Sequence, residues 1–183
     1  RLAAAGRLRP YPVRVAPPAA AAAELVPAVQ AQLLVVAELH QLAVPVTLAA
    51  DAEPFDPAHL LALRTKTILW GANYYADKLP TLRSWLVWDK RDGIPSNDNA
   101  DCEMAWTNLN TPARLFAHLW SGVCRQSETG RAPLHPTQKP VALMRWCLQR
   151  AKLAPGALVY DPYMGSGPIA QACKEMGYRY IGV

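Results

Sequence analysis

The sequence predicts an α/β fold in which helices cover a mostly parallel sheet. Short apolar runs with strand character recur from Thr67 to the end of the chain, each closed by Gly, Asp or a polar turn. Helical periodicity separates the last of them, over Pro140–Ala151. A Gly-x-Gly turn, Gly165-Ser166-Gly167, stands where an apolar strand hands over to a new helix. Alternation of this kind argues for parallel strands joined by helical crossovers.

The elements can be justified in order. Up to Asp51 the chain is dominated by Ala, Val, Leu, Pro and Arg, with acidic residues nearly absent. Residues 1–50 therefore read as an atypical segment set apart from a domain over 51–183. Within that segment, Gln30 to Leu42 is expected to be a helix bounded by Pro27 and Pro45, with Leu33, Leu34, Ala37 and Leu39 on its apolar face. Thr67–Trp70 reads as a buried strand ending at Gly71. Ser84–Trp88 reads as a second strand, running into the polar turn Asp89-Lys90-Arg91-Asp92-Gly93. Cys102–Thr107 reads as a third, and Arg114–Trp120 fits either helix or strand.

Pro140–Ala151 is a predicted helix with proline in its first turn. Val141, Leu143, Met144 and Leu148 form its apolar face, while Arg145, Gln149 and Arg150 face outward. A Pro155-Gly156 turn leads to the apolar strand Ala157–Tyr160. A helix runs from Pro168 to near Gly177, and a further strand begins at Tyr180.

Composition narrows the function. At 183 residues the chain fits one domain, and a 51% apolar content excludes a disordered chain. A net charge of +5 suits a phosphate-bearing partner without requiring one. The four cysteines are widely spaced and include no Cys-x-x-Cys pair. That argues against a zinc site or a disulfide framework, and for free, mostly buried thiols in a reducing cytoplasm. The Ala19–Ala23 run is interrupted by Glu24 and Pro27, too early to span a bilayer, so no membrane partner is expected. The chain starts at Arg1, so its first residue is not expected to be the native start.

The glycine turn carries the chemistry. Without a Cβ, Gly165 and Gly167 can take positive φ and let a ligand approach the backbone. The helix beginning at Pro168 offers free N–H groups and a positive dipole end. Asp161, at the carboxyl end of the strand, can pair with a cationic ligand group. Two other readings stay open. The glycines can serve a tight turn alone. Alternatively Gly165, Gly167 and Ala170 fit the Gly-x-Gly-x-x-Ala of an NAD-dependent oxidoreductase, although Asp161-Pro162-Tyr163-Met164 separates strand from glycine more than that fingerprint does.

Asp161-Pro162-Tyr163-Met164-Gly165-Ser166-Gly167 resembles the AdoMet-binding motif of DNA N6-adenine and N4-cytosine methyltransferases, which often reads Asp-Pro-Phe-x-Gly-Ser-Gly. His135-Pro136-Thr137-Gln138-Lys139-Pro140 is similar to that family's second cofactor-side motif. Their order matches the circularly permuted β-class, with the catalytic half first and the cofactor half last. Ile68–Tyr75, Trp85–Lys90 and Asp101–Trp106 resemble the middle strands of phage- and prophage-type members. The resemblance covers roughly Asp51 to Val183.

It implies a three-layer, Rossmann-like AdoMet-methyltransferase fold in permuted order, incomplete at both ends. It also implies a cytoplasmic enzyme of DNA methylation, in a phage or restriction-modification setting. S-adenosyl-L-methionine is the implied cofactor, lined by Asp161, Tyr163, Gly165, Ser166 and Gly167 and closed by Thr137, Lys139 and Pro140. DNA is the implied partner, with a homodimer or a partner methyltransferase chain as a further one, and no metal is implied. Against these roles stand plainer ones: a capped loop for His135 and Thr137, a solvated lysine for Lys139, and core packing for Trp70, Trp85 and Trp106. Trp88 is the exception, at a strand end beside Lys90 and Arg91, where the three are expected to meet DNA. The stretch Asn108–Leu134, with Arg114, Arg125 and Arg131, occupies the place of target recognition.

The family's methyl transfer rests on an Asp-Pro-Pro-Tyr tetrapeptide that orients the exocyclic amine of a flipped base. In a permuted member it lies upstream of Asp51, and this sequence does not contain it. Asp161-Pro162-Tyr163 lacks the second proline and runs into the glycine turn, and Glu53-Pro54-Phe55 is a weaker imitation. The catalytic residues are therefore unassigned, and AdoMet binding and methyl transfer are expected to be weak or lost.

Overall fold

In a computed structural model, which describes residues 33–38, 55–95, 100–121, 124–129 and 138–183, the chain builds a seven-stranded sheet between two apolar layers. Its strands are β1 (Leu33–Glu38), β2 (Lys66–Trp70), β3 (Trp85–Asp89), β4 (Cys102–Thr107), β5 (Arg114–Ala117), β8 (Leu158–Asp161) and β9 (Arg179–Gly182). They lie in the order β5-β3-β4-β2-β1-β8-β9. β4 alone runs against the others, pairing antiparallel with both β2 and β3. A two-stranded ribbon, β6 (Trp120–Ser121) and β7 (Cys124–Arg125), stands beside the sheet. The helices are α1 (Ala58–Leu61), α2 (Val141–Ala151) and α3 (Pro168–Met176).

The expected helix over Gln30–Leu42 is corrected. Leu33–Glu38 is a strand, β1, paired in parallel with β2 on one side and β8 on the other. A parallel strand covered on both faces reads as a continuous apolar run, which periodicity alone cannot tell from a buried helix. Val35 and Val36 are β-branched and favour the extended backbone. Leu34 and Val36 pack in one layer, Val35 and Ala37 in the other, as strand alternation requires. Six residues of the segment set apart at 1–50 thus belong to the same sheet as the rest.

The larger layer holds α2 and α3. Leu143, Met144, Cys147 and Leu148 of α2, with Ile169, Ala172 and Cys173 of α3, cover Leu34, Val36, Ile68, Trp70, Leu86, Trp88 and Val159. The opposite layer is thinner: Leu60 of α1, Ala72 and Tyr75 pack on Val35, Leu69 and Trp106. Pro140 sits one residue outside α2, as its N-cap. At the other end of that helix, the Lys66 ammonium donates to the carbonyls of Ala151 and Lys152 at 2.8 and 3.2 Å. A cation there satisfies helix-end carbonyls and complements the dipole. This bond sets the amino end of β2 beside the carboxyl end of α2, so the helix begins at the opposite, carboxyl edge of the sheet.

The ambiguous Arg114–Trp120 resolves as strand β5 and the start of β6. Cys147 and Cys173 are buried free thiols, whereas Cys102 and Cys124 are exposed, so burial holds for only half of the cysteines. Among the described residues no helix is long and apolar enough to cross a membrane.

Val35→Asp and Val36→Asp place a charge in opposite layers. Each is expected to cost about 4 kcal/mol or more of unfolding free energy, read by urea denaturation. Severe losses at both adjacent positions mark a strand buried on two faces. Tolerance at either position would fit the one-sided helix instead.

Candidate functional site

The carboxyl ends of β8, β1 and β2 lie side by side. Asp161 ends β8, and Met164-Gly165-Ser166-Gly167 forms the turn into α3. The Gly167 N–H closes that turn on the Met164 carbonyl at 2.9 Å. Gly165 and Gly167 hold φ of 52° and 78°, the left-handed region where a side chain is strained. Gly167 is the N-cap of α3, with no side chain bonded across the helix start and Pro168 in its first turn. The amino end of α3 is thus open towards the turn.

Asp161 is 1% exposed, and its environment is unusual for a carboxylate. Oδ1 accepts the Tyr163 N–H at 3.0 Å. Oδ2 is buried with no hydrogen-bond partner among the described residues. Burial pushes its pKa up to about 6, opposed only in part by the Tyr163 N–H and the Lys139 charge. A buried acceptor without a donor costs free energy unless a ligand supplies one. The turn is anchored from β9 as well: Met164 N–H donates to the Val183 carbonyl at 3.1 Å, and Val183 N–H to the Asp161 carbonyl at 3.0 Å.

Tyr163 joins an aromatic group on the α1 side. Its hydroxyl meets His59 Nε2 at 3.2 Å, and its ring is edge-on to Phe55 at 5.9 Å. Phe55 in turn stands edge-on to Tyr75 at 4.9 Å. The hydroxyl that separates Tyr163 from phenylalanine therefore has a partner, one the sequence motif did not reveal.

Of the second motif, Gln138, Lys139 and Pro140 are described, while His135 and Thr137 lie outside the described residues. Lys139 is not a solvated lysine: it is 2% exposed, with its ammonium 3.1 Å from Glu103 Oε2. Glu103 Oε1 takes the Lys90 ammonium at 3.3 Å. Burial disfavours the Glu103 carboxylate, but the two lysines outweigh it and hold the group below the ordinary carboxylate range. Glu128 fastens the same lead-in, its carboxylate accepting the Gln138 amide at 2.9 Å and the Val141 N–H of α2 at 3.0 Å.

The turn after β3 differs from the open surface expected of Trp88, Lys90 and Arg91. Trp88 is 1% exposed within the core layer, and its indole N–H donates to the His118 carbonyl at 3.0 Å, so it offers no face to a base. Arg91 is buried against Asp101 at 3.1 Å, and Lys90 is committed to Glu103. The polar turn after β3 thus presents neutralised ion pairs rather than a free cation pair. Trp70 and Trp106 are core residues, as expected, and Trp85 packs at the margin of the thinner layer. Glu103 and Glu128 were invisible in the sequence, because nothing local distinguishes an acid that meets a lysine, or an amide and a helix N–H, further along the chain.

The family model for N6/N4 DNA methylases matches residues 87–183. The type II methyltransferase M.XycI of Xanthomonas campestris pv. cyanopsidis is 25% identical over 153 residues, 74% of this chain and 51% of the relative. M.Cfr9I of Citrobacter freundii is 25% identical over 119 residues, 56% of this chain and 39% of the relative. The chain spans about half the length, or less, of these curated relatives. Among solved structures, the cytosine-N4-specific PvuII DNA methyltransferase aligns with a TM-score of 0.53 at 11% identity, over 84% of this chain and 74% of that one. The M1.HpyAVI–SAM complex aligns with a TM-score of 0.50 at 20% identity, over 85% and 83%. These structures share the three-layer α/β fold. With the family model covering more than half of its residues, the chain belongs to the N6/N4 DNA methylase family.

Proposed function

We propose that this chain carries the AdoMet-binding half of a DNA methyltransferase acting on an exocyclic base amine, N6 of adenine or N4 of cytosine. The observation that carries the reading is the buried Oδ2 of Asp161, without a partner among the described residues, beside a positive-φ glycine turn at an open helix start. A cationic ligand group fits that oxygen, and an anionic one fits the α3 amino end. AdoMet's methionine moiety has both, an ammonium and a carboxylate. When bound, AdoMet supplies an electrophilic methyl on its sulfonium.

The residues present would hold it as follows. Asp161 accepts from the ammonium, Gly165 and Gly167 admit the ligand to the backbone, and Ser166 adds a hydroxyl between them. Tyr163, braced by Phe55 and His59, offers an apolar wall. Lys139 and Pro140 act by fixing the lead-in to α2 rather than by reaching into solvent, since both are buried. Thr137 keeps its proposed role on the resemblance alone.

The base side is where the chain departs from its family. No Asp-Pro-Pro-Tyr occurs in the sequence, and the residues at and after the carboxyl end of β1 read Glu38-Leu39-His40-Gln41. We therefore infer impaired methyl transfer. The same observation favours a second reading, a non-catalytic remnant that binds DNA or a partner methyltransferase chain. That remnant would show salt-sensitive DNA binding without methylation.

Two measurements test this. Calorimetric titration is expected to show AdoMet binding that Gly165→Trp weakens at least about a hundredfold, roughly 2.7 kcal/mol. Transfer of labelled methyl to mixed-sequence DNA is expected to be low. Strong transfer abolished by Gly165→Trp would overturn the impairment, and preference for NAD over AdoMet would overturn the reading itself.

Asp161 sets a pH dependence of known sign. Protonation removes the charge that pairs with an ammonium, so AdoMet affinity should be flat above pH about 6 and fall about tenfold per unit below it. Stability runs the other way. A folded-state pKa raised from 3.8 to about 6 means the neutral acid favours the fold: that contribution is whole below pH 3.8 and lost as pH rises through about 6. Asp161→Asn is therefore expected to melt about 2–4 °C higher than the parent at pH 8 while losing AdoMet, with the thermal gap closing towards pH 4. An unchanged melting temperature at pH 8 would show that the ionised acid is not strained.

A further inference from the structure

Among the described residues Gly182 is the one glycine without a positive φ. No turn requires it, since it lies within strand β9. What sets it apart is space. A Cβ at Gly182 would stand 2.9 Å from Cε and 3.0 Å from Cγ of Met164, with Sδ closer still. At Gly93, Gly156 and Gly177 nothing comes within 4 Å of that position, and at Gly165 and Gly167 the nearest atoms are 3.9 Å away. Three successive atoms of one side chain crowd Gly182, so turning the terminal methyl aside would not make room.

We propose that Gly182 is a positioning residue for the glycine turn: lacking a side chain, it lets the Met164 thioether lie across the end of β9, and this contact sets where the turn stands beside Asp161. Gly182 is level with Asp161 in the parallel ladder, so a side chain on it would share the face of the sheet that Asp161 uses. Met164 takes that space and packs against the larger layer. Its Cγ also comes within 3.9 Å of the Cβ position at Gly167, so one thioether spans from the end of β9 to the start of α3. The backbone of Met164 is held on both sides, its N–H by the Val183 carbonyl at 3.1 Å and its carbonyl by the Gly167 N–H at 2.9 Å. The proposal rests on the AdoMet reading for its purpose, but not for its physics.

The sign of a substitution follows. Glycine inside a strand is ordinarily a weak point, because it leaves the unfolded chain its greatest freedom. Alanine at such a position restricts that chain, so in open space Gly182→Ala would raise stability. With Met164 in place the sign reverses, because the added methyl must displace the thioether or part β9 from the turn. Either movement carries Gly165 and Gly167 away from their places beside Asp161 Oδ2, where the proposed ligand meets an acid and a helix start at once.

The test is a double-mutant cycle over the parent, Gly182→Ala, Met164→Ala and the two combined. It reads melting temperature, the nitrogen-15 amide shifts of Gly165 and Gly167 in the ligand-free protein, and calorimetric titration with AdoMet. In the parent, Gly182→Ala is expected to lower the melting temperature by about 2–4 °C and to move both glycine amides. It is expected to weaken AdoMet about tenfold. Made on Met164→Ala, the same substitution is expected to leave the melting temperature unchanged or raised, and the affinity within about twofold. Equal effects in the two backgrounds, or a parent stabilised by Gly182→Ala, overturn the proposal. Loss of stability with the glycine amides unmoved also overturns it, because the contact then serves packing alone. So does unchanged AdoMet affinity with the amides displaced. Should Gly182→Ala fail to fold, recovery of the fold in the combined variant supports the proposal, and failure of both overturns it. Failure of the parent to bind AdoMet sinks the proposed function, while the melts and amide shifts still decide the part played by Gly182.

Discussion

The sheet depends on β1. Its six residues pair with β2 along one side and β8 along the other, and without them the sheet would part into β5-β3-β4-β2 and β8-β9. The same pairing creates the site. Two parallel ladders of fixed register bring the carboxyl ends of β8, β1 and β2 to one edge, with Val35 level with Tyr160 and Glu38 level with Trp70. Because Leu34 and Val36 serve one layer and Val35 and Ala37 the other, a slip of one residue would exchange the two faces. Burial on both faces therefore specifies where the glycine turn stands relative to its neighbours.

From that edge the helices follow. Lys66 ties the amino end of β2 to the carboxyl end of α2, which puts the start of α2 at the ligand edge, and Glu128 secures that start through Val141. α3 leaves the edge from Gly167 and packs with α2 over the same layer. The start of α2 is taken by the Glu128 carboxylate, whereas α3 starts with no side-chain cap, so α3 is the helix whose positive end suits an anionic group. Asp161 stands beside that helix start with one carboxylate oxygen lacking a partner among the described residues. The combination suits a zwitterion better than a phosphate. That is a reason, independent of sequence motifs, to prefer an amino-acid moiety over the pyrophosphate of a dinucleotide.

Much of this was legible in the residues. Cys102–Thr107 was read with its boundaries, and α3 was bounded by Pro168 and Gly177, because breakers and caps act locally. Trp88 was misread for the opposite reason. Its neighbours Lys90 and Arg91 suggest a polar surface, but Glu103 of β4 and Asp101 just before it neutralise them and the tryptophan turns into the core. Leu33–Glu38 was misread because its burial comes from partners far along the chain. Lys139, for which the plainer reading offered a solvated side chain, is buried against Glu103. In each case the deciding charge or surface comes from a residue remote in sequence, which periodicity and spacing do not encode.

Buried charges of this kind are weak stabilisers. Removing Glu103 and the two lysines from water costs most of what their attraction returns, and an apolar cluster of similar volume would hold the same strands at least as well. Asp161 is more plainly unfavourable, since its second oxygen has no donor within the described fold. A sheet edge built only for stability would carry neither. The open oxygen at the end of β8 is what the proposed ligand, which brings its own cation, would satisfy. Such a ligand would turn the least stable feature of the fold into its principal binding contact.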